Sequence, residues 1–237
     1  MHSIPIDEEP LPPIFDEPSV VAVPTPRPVD IELLADLRGH VLGGRYVLVE
    51  LLGSGDLGCI YSGRDQVSGQ PIAVKVLAST EHREVVARIA ERARRRLGVR
   101  HPCVAAVLAE GSIGGLWYAV MEHAPGKNLY HAAGEARFEG AGLLALVAQL
   151  AEGLATLHAL GAPHGAISPH NLVGSEAGVK LVDLDVHLSG ETAHEEASAW
   201  ADVAALARVF HELARVDEDE APWIAAIARV ARGELRP

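Results

Sequence analysis

The chain has 237 residues, 49% of them hydrophobic, which suffices for one large or bilobed core and excludes disorder throughout. Its formal net charge is −12, and its one dense basic run, Arg92-Ala93-Arg94-Arg95-Arg96, ends a predicted helix and reads as a solvated face complementing the helix dipole, so no nucleic-acid partner is expected. Two cysteines, Cys59 and Cys103, give neither a disulfide framework nor C-x-x-C spacing, and no signal-peptide pattern follows Met1; the expectation is a cytoplasmic protein without a membrane partner.

Residues 1–40 read as a disordered, proline-rich acidic tail. Eight of the fifteen prolines lie in residues 1–28, and residues 1–36 carry eight acidic groups against one arginine. Within it, Leu11-Pro12-Pro13-Ile14-Phe15 is a candidate docking segment and Thr25-Pro26 a candidate phosphoacceptor, the alternative being a plain spacer. From Arg45 the pattern changes. Tyr46 to Leu52, Cys59 to Arg64 and Pro71 to Leu77 are β-branched or aliphatic runs between Gly, Ser and Asp turn signals, which predicts three consecutive antiparallel strands. Glu81 to Leu97 is predicted as a helix, with Thr80 as N-cap, Glu81 and Glu84 in its first turn and arginines in its last. Two more strands are predicted near Val104 to Ala109 and Leu116 to Met121. Beyond Gly126 the chain turns helical, most clearly from Leu143 to Leu160, where Leu143, Val147, Leu150, Leu154 and Leu157 keep one apolar stripe; Gln149, Glu152 and His158 interrupt it as a membrane span. The fold class is α+β, a β-rich half preceding an α-rich half.

Three segments carry chemistry. Leu52-Gly53-Ser54-Gly55-Asp56-Leu57-Gly58-Cys59-Ile60 follows G-x-G-x-x-G-x-V with isoleucine last, and glycines let a backbone approach phosphates without Cβ collisions. Taken alone, a hairpin turn explains it as well; a dinucleotide-binding fingerprint does not, since that pattern opens a helix and this one runs into a strand. Ala73-Val74-Lys75 follows on the third strand, and Lys75 stands out because lysine is scarce, three residues against seventeen arginines. A solvent-facing edge lysine is the alternative. Last come His164-Gly165-Ala166-Ile167-Ser168-Pro169-His170-Asn171 and Lys180-Leu181-Val182-Asp183-Leu184-Asp185.

In this order the segments resemble the glycine loop, V-A-I-K strand, H-R-D-L-K-x-x-N loop and D-F-G of protein kinases. Residues 45–237 are similar to a eukaryotic-type Ser/Thr protein kinase domain of the bacterial kind. The resemblance implies a bilobed fold, with a β-rich N-lobe over residues 41–123 and a helical, shortened C-lobe over residues 124–237. It implies ATP with magnesium as ligand. Leu52, Gly53, Gly55, Gly58 and Ile60 would cover the nucleotide, Lys75 would pair with its phosphates, and Asn171 and Asp183 would hold metal. Met121 falls at the gatekeeper position, Glu122 and Ala124 would offer backbone groups to adenine, and Ala73 and Val173 would sandwich the base. His101-Pro102 matches the H-P after the N-lobe helix, Asp202 matches the buried aspartate that ties down the catalytic loop, and Leu235-Arg236-Pro237 resembles the closing E-R-P. The first histidine of the loop, His164, takes a structural place.

The departures from that pattern point one way. Ala166 stands where the proton-accepting aspartate belongs, Gly165 replaces an arginine, Ser168 a lysine, and Asp185 the glycine after the metal aspartate. Eighteen residues separate Asp183 from Asp202, without an A-P-E between them, so activation-segment docking is not expected. On the N-lobe helix, an ungapped count puts Arg92 opposite Lys75, and Glu91 fits only with one inserted residue; a Lys75 without a glutamate partner implies weakened nucleotide affinity. The leading expectation is therefore a pseudokinase, with no catalytic residue, that works as a regulatory or scaffolding module on another protein, such as an active kinase or signalling component. The alternatives are a residual enzyme, through slow autophosphorylation or small-molecule phosphotransfer, and a nucleotide-free scaffold.

Overall fold

Apolar residues spaced two apart along Tyr46–Gly55 (β2), Gly58–Asp65 (β3) and Pro71–Ala78 (β4) put one row of side chains into a core and leave the other outside, the pleat's natural period. The computed structural model describes residues 34, 36–55, 57–78, 83–132, 140–175, 178–183, 198–214 and 229. The expectations for residues 1–33, for Thr80 as a helix cap, for Asp185 and for Leu235-Arg236-Pro237 lie outside the described residues. With Val41–Leu42 (β1), Val107–Ile113 (β5) and Leu116–Glu122 (β6), these strands form a six-stranded antiparallel sheet in the order β1-β2-β3-β4-β6-β5. β4 is interior, with Lys75 paired to Ile60 on one side and Ala119 on the other, so this lysine is not on a solvent edge.

The helix Arg83–Arg96 (α1) lays Val86, Ile89, Ala90 and Ala93 against Leu77, Trp117, Ala119 and Met121. Its basic end corrects the reading of a solvated face. Arg94 and Arg95 are exposed and bond Glu110 and Glu91, but Arg96 is 2% exposed and Arg92 is half-buried, because both continue the inward stripe that Ile89 and Ala93 begin. The strand expected from Val104 starts only at Val107. Residues before it are committed to the other lobe: Ala105 N donates to Leu181 O at 2.8 Å, and Leu181 N donates to Cys103 O at 2.8 Å. The acidic, proline-rich composition also hid a packed segment at the end of the tail. Leu34 is fully buried, the Tyr61 hydroxyl donates to its carbonyl, and Leu37 N donates to that hydroxyl at 3.3 Å.

The C-lobe begins with Lys127–Asn128 (β7) and Leu129–Ala132 (α2), followed by the long helix Gly140–Ala159 (α3). A 3-10 turn, Pro169–Asn171, leads into Leu172–Ser175 (β8) and Gly178–Leu181 (β9), which with β7 make a small sheet, and Ala199–Ala214 (α4) follows. By length and composition α3 is apolar enough to cross a membrane, yet Leu143, Leu150 and Leu154 pack with Leu172, Leu181, Leu206 and Phe210 inside this lobe. Gly58 is a packing residue: a Cβ there would stand 2.0 Å from Val76 O on β4. Gly58→Val is therefore expected to cost about 1–3 kcal/mol of stability, whereas Gly53→Ala, whose Cβ meets nothing within 4 Å, stays within about 0.5 kcal/mol. Urea unfolding of both variants checks this; equal effects would contradict the packing role of Gly58.

Candidate functional site

Between the sheet and the C-lobe lies a cleft of about 180 Å³. Leu52, Gly53, Ile60 and Ala73 line it from β2, β3 and β4, while Met121, Glu122 and Ala124 line the connection between the lobes; Val173, Asn171 and Asp183 close it from the C-lobe. Ten residues picked from the sequence thus share one cavity. Gly55, Gly58 and Lys75 do not line it. His123 and Ala124 lie beyond the end of β6, so their backbone runs along the cleft outside the ladder. Sequence reasoning missed Ala105, His123, His170 and Val182 as lining. Val182 and His170 were adjacent to picked residues, but Ala105 has only a tertiary reason to be there. His170 stacks on Tyr130 at the cleft, ring centroids 4.1 Å apart.

Lys75 lies behind the lining residue Asp183, where its Nζ donates to Asp183 Oδ1 at 2.8 Å, and both side chains are buried. Asp183 is placed by the turn after β9: Val182 N donates to Asn171 O at 2.8 Å, and Asp183 itself has φ +76°, in the left-handed region that aspartate tolerates better than most residues. Asn171 Nδ2 donates to Ala166 O at 2.8 Å, closing the loop on itself. Ala166 is buried and offers only a methyl group. The loop is held from below by Asp202, 1% exposed, whose carboxylate accepts from His164 N and Gly165 N, each at 2.7 Å, and lies 2.8 Å from His158 Nε2. A buried carboxylate is satisfied there by backbone amides, which is why a fully apolar residue at position 202 would not serve.

The uncertain register of α1 resolves in favour of arginine. Glu91 faces solvent and pairs with Arg95 at 3.1 Å, while Arg92 Nη1 donates to His164 O at 3.0 Å. Burial lowers the pKa of Arg92, with Asp202 acting in the opposite sense. Arg96, one turn on, is pushed down to about 10 by burial and by Arg92, and its Nε and Nη1 have no hydrogen-bond partner among the described residues. It remains a cation at neutral pH. Lys75, Arg92 and Arg96 thus lie behind the residues that line the cleft, where the sequence pattern leads one to expect a lysine–glutamate pair.

Whether Asn171 and Asp183 fit a magnesium ion is decided by donors and field. Among the described residues no group of three or more His, Cys, Asp or Glu side chains could hold a metal. Of the two carboxylates lining the cleft, Glu122 accepts from Lys180 and from Ala106 N, and Asp183 from Lys75. Magnesium is ordinarily held by one or two carboxylates together with phosphates. Asn171 and Asp183 both line the cleft, and Asp183 is paired with Lys75. One carboxylate and one amide oxygen fit a magnesium ion that nucleotide phosphates would help to hold, with Lys75 turned to those phosphates.

Residues 46–203 match the protein kinase domain family. Among curated proteins, the chain is 34% identical over 152 residues to the serine/threonine-protein kinase pkn2 of Myxococcus xanthus, covering 62% of this chain and 18% of that protein. It is 31% identical over 152 residues to a probable serine/threonine-protein kinase, pknA2, of Bifidobacterium longum, covering 61% of this chain and 20% of the relative. The chain thus spans about a fifth of the length of these relatives. Among solved structures, the PknI kinase domain of Mycobacterium tuberculosis superposes with a TM-score of 0.69 at 21% identity, covering 81% of this chain and 88% of that one. The fold is protein-kinase-like, with a β-rich N-lobe.

His164 yields a pH dependence. Burial, then Arg96, holds its imidazole well below the ordinary 6.5, with Asp183 opposing and Arg92 adding to the effect. The unfolded chain takes up this proton as the pH falls below about 6.5 while the folded chain does not, so stability falls there, by at most about 1.4 kcal/mol per pH unit. Above that pH the residue contributes no slope. Unfolding free energies at pH 7.5 and 5.5 should show a steeper loss for the native sequence than for His164→Asn; equal slopes would contradict a neutral buried imidazole.

Proposed function

The chain belongs to the protein kinase domain family, and on that premise we propose that it is a pseudokinase, a nucleotide-binding regulatory or scaffolding module that acts by engaging another protein in the cytoplasm. The observation that carries this reading is Ala166, buried in the catalytic loop where a substrate hydroxyl's proton would have to be accepted. Among the described residues, the nearby carboxylates are otherwise engaged: Asp183 by Lys75, Asp202 by the loop amides. A positioned general base is worth roughly 10²–10⁴ in rate and kinases turn over at about 1–100 s⁻¹, which leaves on the order of 10⁻⁴ to 1 s⁻¹ without it. Turnover at that level is a poor signal, so the surface is the output.

The nucleotide part rests on the cleft itself. Gly53 lines it with an open backbone, Ala73 lines it from the N-lobe and Val173 from the C-lobe, and the connection Met121 to Ala124 borders it. ATP would lie with its base between Ala73 and Val173 and its phosphates toward Lys75.

Thermal melting and label transfer test both halves. ATP at about 100 Kd adds roughly 2.7 kcal/mol, a rise of about 5–10 °C in Tm at this size, and radiolabel from ATP should reach neither the protein nor a general substrate at a rate above about 1 s⁻¹. An unchanged Tm at millimolar ATP would remove the nucleotide. Brisk transfer that disappears in Asp183→Ala would overturn the non-enzymatic reading.

A further inference from the structure

We infer that residues 34–37 are a removable cover on a peptide-docking groove of the N-lobe, and that the groove takes a protein segment carrying two leucines three residues apart. The inference rests on the partner-engaging reading above and gives it a surface and a partner chemistry.

Strand alternation separates this groove from the cleft. Ile60 and Ala73 line the cleft, so their neighbours Tyr61, Ile72 and Val74 project from the opposite face of the sheet, where they share a buried cluster with Leu42 and Leu48. An apolar sheet face has to be covered by another element. Helix α1 does not cover this one, because its apolar stripe packs in a separate cluster with Leu77, Trp117 and Ala119. Among the described residues the cover is Leu34, fully buried, with Leu37 partly buried against the same cluster.

The cover is held by few contacts. The buried Tyr61 hydroxyl donates to Leu34 O and accepts from Leu37 N at 3.3 Å. Backbone bonds to the sheet begin only after it: Gly39 N donates to Leu48 O at 2.8 Å, and Leu48 N donates to His40 O at 2.9 Å. Between the two sets the chain turns at Gly39, with φ +80°, a region that glycine enters freely. Residues 34–37 can lift about this turn while β1 and β2 stay paired. They leave behind an apolar floor with one hydroxyl that both donates to and accepts from a backbone. That floor suits a short helical segment whose leucines stand at i and i+3 on one face, the spacing of Leu34-Ala35-Asp36-Leu37 itself. A tethered occupant competes at a local concentration on the order of millimolar, so the covered groove excludes weak ligands.

Hydrogen exchange and peptide binding, both on the full chain, test this. In the native sequence the Leu37 amide should exchange at least about tenfold faster than the amides of Tyr61 and Val74, because the cover opens without the sheet. A fluorescent peptide of residues 30–38 should bind the double variant Leu34→Ala with Leu37→Ala at least about tenfold more tightly than the native chain, whose own segment competes. Replacing both leucines of the peptide by alanine should abolish that binding. Tyr61→Phe keeps the ring, removes the hydroxyl and should speed Leu37 exchange by about three- to tenfold, so a poorly folded leucine variant does not leave the matter open. Leu37 exchange as slow as that of the strand amides would make residues 34–37 a fixed part of the core and overturn the inference, as would a peptide that binds neither protein. Equal binding to both would overturn its assignment to the covered groove, and a native dimer in sedimentation would make the occupant a second copy and overturn the partner assignment. Because groove and cleft lie on opposite faces, an absent ATP-induced rise in Tm in the same samples would strike the nucleotide reading alone, and brisk label transfer the non-enzymatic one.

Discussion

The ion pair between Lys75 and Asp183 joins residues 108 positions apart, from the central strand of the N-lobe to the turn after β9, and the rest of the site is arranged around it. Its side chains are 3% and 6% exposed, so each charge has given up most of its hydration. A pair of this kind adds little over an apolar substitute, but losing one partner leaves a buried charge that costs about 3–5 kcal/mol. Removing either residue alone is therefore expected to cost more than removing both. The unusual φ of Asp183 fits the same constraint: a residue in a sparsely populated backbone region persists where its surroundings over-determine it.

The N-lobe helix answers to that pair in an unfamiliar way. Since Lys75 is met by a carboxylate from the C-lobe, α1 is free of the need to supply one, and its inward positions carry guanidinium groups. Arg92 reaches across to the carbonyl of His164, and Arg95 reaches Gly161 O at 2.9 Å, so the helix is fastened to the loop region by donors instead of by an acceptor. A glutamate at position 92 could not make the first of these bonds. The lobes are held in register by further links, Lys180 with Glu122 and the exchange of backbone bonds among Cys103, Ala105 and Leu181.

Most of the sheet was legible because strand residues obey a period of two and β-turn glycines punctuate them; β2, β3, β4 and β6 lie within a few residues of their expected bounds. The cleft was legible through the resemblance: ten picked residues line it, although their ligand role is a separate question. The arginine run was misread because charge density suggests solvent, while its i, i+4 members 92 and 96 share the face of Ile89 and Ala93, a spacing that the sequence displays. Leu34 was hidden by the proline and acid around it, and Ala105 by a loop whose bonds go to a strand far along the chain. Such contacts leave no local periodicity to read.

The central claim, that Lys75 is met by a buried aspartate of the C-lobe and not by a carboxylate of α1, is tested most directly by a double-mutant cycle. Unfolding free energies of Lys75→Met, Asp183→Asn and the double variant should give a coupling energy of about 1–3 kcal/mol. Strict additivity of the two single losses would contradict it.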